Sequence, residues 1–489
     1  MPLRIFKSHQ FFLALLLIAS FVFLSYVSLV IFRDFPLCMD EHGFSFQAHL
    51  FAKGHLYKEV SANEWPLADR WMIFDKNRIF SHYPPGFPMV LAIGVLLGIP
   101  GLVNPFLSVM TLFFIYKIVT TFVRPFIALG IVLLVATNSY FIGYGASYFS
   151  QSLALTLVTM GLYLYRSYEL SPQSNTAIAL GLIIGFCVLV RQVDALCLFL
   201  ITGSGVIFSS ISNKRWSHLV YIISFSLLGV LILGFYFSLL TGKFCLCTSQ
   251  VWDRDCPFLH RSAGNFWQNI SLVISKYCQT FQVITVFLVR QKFMINLGIP
   301  FLMLAVGGLY SKIDKYFHYR CFICLLVFII LYGFEPYDDW SQYGERYYYP
   351  TLGAMAVLAA FALDRLGNTL PRYLLSLIFA VSIGCQLINV KRDLGFYSKR
   401  FSFEETIIKD LHHHCPENSV VIIDYPSYEW WQVAPGFVSW VDFHKNFIPS
   451  ESRLFVFNRP EADAVIKTHP QYTVCEYELT STFHVAKKL

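Results

Sequence analysis

The sequence predicts an all-α polytopic membrane protein of about 11 transmembrane helices, with interfacial helices on one membrane face and a small C-terminal α/β extracytoplasmic domain. Three observations carry this prediction. Hydrophobic residues make up 56% of the 489 and charged residues only 14%, with mean hydropathy +0.55, against the roughly 25% charged of soluble domains. Apolar runs of the roughly 20 residues needed to cross a bilayer recur along the first part of the chain. Beyond residue 400 the pattern changes to short β-rich runs separated by turn signals. The net charge of +7 is of the kind that cytoplasmic loops carry to orient a polytopic chain. It indicates no nucleic-acid partner.

The spans are expected near 11–32, 102–122, 126–143, 147–165, 176–190, 194–210, 217–240, 294–310, 320–334, 349–363 and 372–389. The first follows a basic start like that of a signal peptide, but its apolar run is too long and lacks a small-residue cleavage site, so it reads as a retained span. With the N-terminus cytoplasmic, the short inner loops hold Arg124, Arg166, Lys214, Arg215, Lys312, Lys315, Arg365 and Arg372, as the positive-inside rule requires. The loops 33–101, 241–293 and 335–348 and the tail then lie outside the cytoplasm. Residues 1–390 form the expected membrane domain and 400–489 the outer one. Carriers usually keep functional polar groups near the midplane, whereas here the polar mass gathers at one face.

Within the first outer loop, Ser45, His49 and Lys53 recur at helical spacing opposite Phe44, Ala48 and Phe51. That pattern predicts an amphipathic helix lying on the membrane, with Gly54 as its C-terminal cap. The segment from His82 to Gly101, bracketed by prolines, is too short to span comfortably and reads as a second interfacial helix or a short re-entrant span. In the tail, "SVVIID", "SRLFVFNR" and "YTVCEYEL" are predicted strands, with a helix at "PEADAVIKTH".

Four groups of residues could carry chemistry. Asp40 and Glu41 stand side by side just after the first span. Carboxylates beside a membrane are costly unless solvated, paired or used, and one could accept a proton from an attacking hydroxyl. The plainer reading is an acid pair that terminates the span. In "YGERYYYP", Glu345, Arg346 and Tyr347 open a span. An arginine fork suits a phosphate, and the competing reading is an aromatic belt with a snorkelling arginine. Arg191 and Asp194 break an otherwise apolar run, either as a pair across one helical turn or as an intramembrane functional charge. His82 of "HYPPG" could face a phosphate or simply solvent.

The cysteines and remaining histidines say less. Cys187, Cys197, Cys321 and Cys324 lie in apolar segments, where cysteine usually acts as a small hydrophobe. Cys245, Cys247, Cys256 and His260 superficially offer four metal ligands, but Cys-x-Cys is not zinc-knuckle spacing. A disulfide among Cys245, Cys247, Cys256 and Cys278 on the outer face is expected instead. His412 to His414 read as a surface run.

The segments "MDEHGFSFQAHLFAKGHLY", "HYPPGFPMVLAIGVLLG", "GFCVLVRQVDAL" and "GERYYYPTLGAMAVLAA", taken in this order, resemble the GT-C glycosyltransferases, in particular the bacterial branch of protein O-mannosyltransferases and lipid A aminoarabinose transferases. The resemblance implies a polyprenyl-phosphate sugar donor, a glycolipid, glycan or protein acceptor, and a site at the outer face of a bacterial inner membrane. It places the catalytic base, or the organiser of the acceptor site, on Asp40, with Glu41 beside it. Where the aminoarabinose transferases have a basic residue adjacent to the prolines, this chain has Tyr83. Arg346, Arg191 and His82 are the candidates for binding the lipid phosphate, and Tyr347 and Glu345 for substrate. The absence of a Gly-rich nucleotide motif agrees with a lipid-linked donor. No motif demands a cofactor; a divalent cation on the oxygens of Asp40 and Glu41 is the one candidate. Membrane lipids surround the chain. The alternative function is a transporter or flippase of a lipid-linked glycan, which should show broken helices or internal symmetry near the midplane; neither is evident in the sequence. A protein that merely presents its tail outside would leave the acid pair unexplained.

Overall fold

The computed structural model describes residues 8–36, 39–59, 72–75, 77–246, 299–309, 314–332, 346–415, 419–424, 453–456, 463, 466–467, 470–479 and 484–488. Its helices are α1 (Ser8–Tyr26, continued as a π-helix to Ile31), α2 (Met39–Ala52), α3 (Gly86–Leu96), α4 (Val103–Val119), α5 (Pro125–Ala136), α6 (Ser139–Ala146), α7 (Gln151–Leu170) and α8 (Ser174–Val190). They continue with α9 (Gln192–Leu198), α10 (Ser204–Ser212), α11 (Trp216–Thr241), α12 (Ile299–Gly308), α13 (Lys315–Tyr332), α14 (Leu352–Thr369) and α15 (Arg372–His414).

Among the described residues, six helices are long and apolar enough to cross a membrane, or seven if α5 and α6 form one span. Of the about 11 spans expected from the sequence, those at 294–310 and 320–334 run partly outside the described residues, and some others take a different form. The expected span 126–143 is α5 and α6, bent by 65° at Thr137 and Asn138. Asn138 makes the break by capping α6, its side chain accepting from the backbone N–H groups of Tyr140 and Phe141, the usual role of asparagine at a helix start. The structure therefore contains a broken helix that the sequence reading did not detect. The expected spans at 176–190 and 320–334 are the shorter apolar helices Ser174–Val190 and Tyr316–Tyr332.

The bundle is close-packed where small residues face each other. On α8 and α11, Gly185 and Gly229 lie backbone to backbone, with no room for a side chain between them, the contact that small residues permit between membrane helices. Outward faces are apolar: Phe11, Leu15, Ile18 and Val22 on α1, and Leu377, Val381, Leu387 and Ile388 on α15, are exposed. Arg166, expected on an inner loop, is buried near the end of α7, its Nη1 2.7 Å from Asp314 and its guanidinium over the Phe122 ring.

The loop after α1 departs most from expectation. Helix α2 exists and Gly54 closes it with φ of +77°, but most of its surface is covered by the protein itself. Phe44, Ser45, Phe46, Gln47, Ala48 and Leu50 are all buried. A short antiparallel sheet, β1 (Lys58–Glu59), β2 (Met72–Asp75) and β3 (Arg78–Ser81), in order β1-β3-β2, belongs to the same loop. Gln47 ties helix to sheet, its Nε2 donating to the Leu56 carbonyl at 2.9 Å and its Oε1 accepting from the Ser81 N–H at 3.0 Å. Of the three residues expected on the polar face, Ser45 is buried, His49 is half-buried with its Nδ1 bonded to the Ser45 carbonyl at 2.8 Å, and Lys53 is exposed. Helix α3 does show one open apolar face, with Met89, Ile93 and Leu96 exposed.

Near the C-terminus, β4 (Ser419–Asp424), β5 (Arg453–Val456), β6 (Thr473–Leu479) and β7 (His484–Lys488) form a sheet in order β5-β4-β6-β7. Its first three members are parallel and β7 is antiparallel to β6. A disulfide that the sequence did not reveal joins Cys415, at the end of α15, to Cys475 on β6. Cys247, Cys256 and Cys278, Glu345 and His260 lie outside the described residues; Cys245 is buried. The helix α15 runs unbroken through residues 390 to 400 and on to His414, with His413 and His414 exposed.

Candidate active site

The four segments singled out by motif come together. Asp40 and Glu41 sit in the first turn of α2, where the helix dipole favours negative charge. From there the two side chains diverge. Asp40 forms an ion pair with Nη1 of Arg346, the two side chains being 11% and 19% exposed. Glu41 is fully buried, and its Oε1 accepts the backbone N–H of Tyr148 at 2.8 Å.

Tyr148, in the loop between α6 and α7, was not found from the sequence, nor was Asp34. The Tyr148 hydroxyl donates to Asp34 Oδ1 at 2.5 Å. Asp34 stands with Arg33 in a tight turn where both have positive φ, 53° and 57°. The loop is held in place by Asn104 on α4, whose Nδ2 donates to the carbonyls of Ser147 and Phe149. Burial, and after it the neighbouring Asp34 and Glu41 charges, push the Tyr148 phenol well above its ordinary pKa, so it stays a donor. The only hint in "GASYFSQS" is a polar interruption between two apolar helices, too common a pattern to single out one tyrosine.

The HYPPG segment enters from β3. Tyr83 packs on the acid-bearing helix: its ring lies 4.3 Å from that of Phe44, and a side chain at Gly43 would meet it at 3.0 Å. His82 is half-buried with its ring 4.0 Å from Tyr83. At Gly86 the start of α3 presses against the end of α8, so closely that a Cβ would stand 2.6 Å from the Leu189 carbonyl.

That contact is two residues from the break at Arg191, which has an extended backbone (φ −153°, ψ 109°) between α8 and α9. Arg191 and Asp194 do pair across one turn, Nε to Oδ2 at 3.0 Å; the N–H is not aligned for a regular hydrogen bond there. Tyr332, at the end of α13, donates to Asp194 Oδ1 and accepts from Arg191 Nη2 at 3.2 Å. Its ring stacks on Tyr347 at 4.7 Å and 24°. Tyr347 in turn lies between the guanidiniums of Arg191, 5.6 Å away, and Arg346, 5.3 Å away, within cation–π range. A continuous chain of contacts therefore runs from Asp40 through Arg346, Tyr347 and Tyr332 to Arg191 and Asp194.

At the acid pair, Asp40 is paired with a guanidinium and Oε1 of Glu41 accepts a backbone N–H, the partners with which a hard cation would compete for these oxygens. Among the described residues, no group of three or more His, Cys, Asp or Glu could hold a metal ion.

No protein-family model matches the chain, and no curated protein matches it in sequence. Solved structures do match. ArnT from Cupriavidus metallidurans bound to undecaprenyl phosphate aligns at 12% identity and a TM-score of 0.55 over 96% of this chain and 93% of that one. ArnT from the same organism in the apo state aligns at 11% identity and a TM-score of 0.56, with the same coverage. The Archaeoglobus fulgidus oligosaccharyltransferase, solved with Zn and sulfate, aligns at 13% identity and a TM-score of 0.55 over 94% of this chain and 68% of that one. The chain thus has the fold of the GT-C glycosyltransferases, the architecture that its motifs resemble.

Proposed function

We propose that the chain is an integral-membrane glycosyltransferase that moves a hexose or pentose from a polyprenyl-phosphate donor to an acceptor hydroxyl on a glycolipid, glycan or protein. The observation that carries this reading is the meeting of a carboxylate suited to be a base, Asp40, with a guanidinium suited to hold a phosphate, Arg346, where four motif-bearing segments converge. ArnT, whose fold the chain shares, was solved with undecaprenyl phosphate, a lipid of the kind such a reaction releases.

In this mechanism Asp40 takes the proton of the acceptor hydroxyl as its oxygen attacks the anomeric carbon. The bond from that carbon to the donor phosphate breaks with its electron pair, and polyprenyl phosphate leaves. Attack in line with departure inverts the anomeric centre. Arg346 turns from Asp40 to the incoming phosphate, which frees the carboxylate as it stabilises the leaving group. Arg191 supplies a second, fixed charge, and Tyr347 holds the two guanidiniums apart. Base assistance is worth about 10² to 10⁴-fold, and fixed charge at a developing anion several kcal/mol more. Glu41, held by a backbone N–H, orients the start of α2. His82 and Glu345 are secondary candidates for the phosphate and the substrate.

The site belongs at the outer face in this reading, with the N-terminus cytoplasmic, residues 1–390 as the catalytic membrane domain and 400–489 as an extracytoplasmic domain of a bacterial inner-membrane protein. The Cys415–Cys475 disulfide supports an oxidising compartment for the C-terminal sheet. A lipid-linked-glycan transporter is favoured by one feature, the bent pair α5 and α6, since carriers break helices around their substrates. Neither helix carries a charged residue, however, and the break is filled by the Asn138 cap.

The test is mass spectrometry of envelope glycolipids and glycoproteins from cells with the gene, without it, and with Asp40→Asn. Loss of one sugar from one acceptor in the last two strains is the expected result. A lipid-linked glycan that accumulates intact on the cytoplasmic side in the deletion alone would favour transport.

A further inference from the structure

Arg191 is held differently from Arg346. Arg346 pairs with the carboxylate that the reaction needs, whereas Arg191 pairs with one that has no other use. Asp194 is completely buried, and a buried charge persists only when paired and hydrogen-bonded. Its Oδ2 faces Arg191 Nε and its Oδ1 accepts the Tyr332 hydroxyl, which itself accepts from Arg191 Nη2. The three side chains close a ring on α9, α13 and the α8–α9 break. This leaves Nη1 of Arg191, on a side chain 16% exposed, without a protein partner among the described residues. The Tyr332 ring also stacks on Tyr347, the aromatic between the two guanidiniums.

We propose that Asp194 and Tyr332 are positioning residues of the donor site: they act through Arg191, fixing its guanidinium with one N–H edge turned to the lipid phosphate before the donor arrives. The proposal rests on reading this site as a polyprenyl-phosphate site. An unrestrained arginine loses rotamer freedom when it is immobilised, and a side chain ordered in advance spares the ligand that cost. An acid near the start of α9 would be favourable for the helix alone, but helix stabilisation requires neither Tyr332 nor the contact with Arg191.

The experiment measures binding of a polyprenyl phosphate and of the corresponding uncharged polyprenol to the full chain in lipid nanodiscs, alongside thermal stability. Tyr332→Phe removes a single oxygen, and about tenfold weaker binding of the phosphate with polyprenol binding unchanged is expected, the worth of one hydrogen bond to a charged group; melting should fall modestly, because the buried Asp194 loses a partner. Asp194→Asn should weaken phosphate binding at least as much. It should add nothing in an Arg191→Gln background, because effects routed through one residue are not additive. Additive losses, equal losses for phosphate and polyprenol, or unchanged phosphate affinity in both Tyr332→Phe and Asp194→Asn while Arg191→Gln binds poorly, would overturn the proposal and leave the functional reading intact. Wild-type phosphate affinity in both Arg191→Gln and Arg346→Gln would overturn the two together.

Discussion

Replacing Arg346 separates two roles that the geometry places on one side chain, masking the base and binding the phosphate. In the resting structure its Nη1 pairs with Asp40, and its Nη2 lies 3.5 Å from the Tyr347 hydroxyl. Removing one partner of a deeply buried ion pair costs about 3–5 kcal/mol. The residual exposure of 11% and 19% admits water, so about 1–3 kcal/mol of stability should be lost in Arg346→Gln. On the reaction the same change removes a fixed charge from the departing phosphate, worth about 10² to 10³-fold in turnover. Arg346→Lys keeps the charge but loses the planar fork and its cation–π contact with Tyr347, so a loss of about tenfold is expected. The assay follows release of polyprenyl phosphate from the donor by purified protein in nanodiscs, supplied with an acceptor-containing envelope extract, with thermal melting in parallel. The order wild type, lysine, glutamine in activity supports the reasoning. Activity of Arg346→Gln at the wild-type level with unchanged donor dependence would refute a phosphate role, and activity above wild type would leave only the masking of Asp40.

Other substitutions probe the frame around the site. Asp40→Asn keeps the shape but removes the base, and a loss of at least about 100-fold in donor turnover is expected. Gly86→Ala would drive a methyl group to 2.6 Å from the Leu189 carbonyl, and overpacking of this kind costs about 1–3 kcal/mol, visible as a lower melting temperature. Burial, with the Lys53 charge adding to it and a bond from Nδ1 to the Ser45 carbonyl opposing it, holds the His49 pKa below 6.5. The unfolded chain therefore binds this proton more readily, so stability should fall as pH drops below 6.5, and His49→Gln should flatten that part of the melting profile. Cys415→Ser with Cys475→Ser opens a link spanning 60 positions and should cost about 2–4 kcal/mol in the C-terminal sheet, measured by hydrogen exchange at β4 and β6.

The features written in local chemistry were legible beforehand. Apolar runs mark the helices, β-branched runs mark β4 to β6, and Asp40, Arg191 and Arg346 are conspicuous because charges in such surroundings must have partners. Long-range partners were not legible. That Glu41 would meet a backbone N–H of residue 148, or Arg191 a hydroxyl of residue 332, depends on how α7 and α13 pack, and neither tyrosine stands out among the 28 in the chain. The burial of α2 was not legible for the same reason. Ser45 reads as a wet position in the sequence, and only the packing of distant segments around the helix buries it. The break between α5 and α6 escaped because Asn138, in a run otherwise apolar enough to span, carries its meaning only as a cap.

The clamp on Glu41 bears on how the protein tolerates mutation. The atom that holds this carboxylate is the main-chain nitrogen of Tyr148, which every amino acid but proline possesses. The Asp34 contact, by contrast, needs the phenol itself. Tyr148→Phe should release Asp34 and spare Glu41, whereas Tyr148→Pro should undo both. Half of the acid pair is thus secured by the backbone, and substitutions at position 148 other than proline leave that support in place.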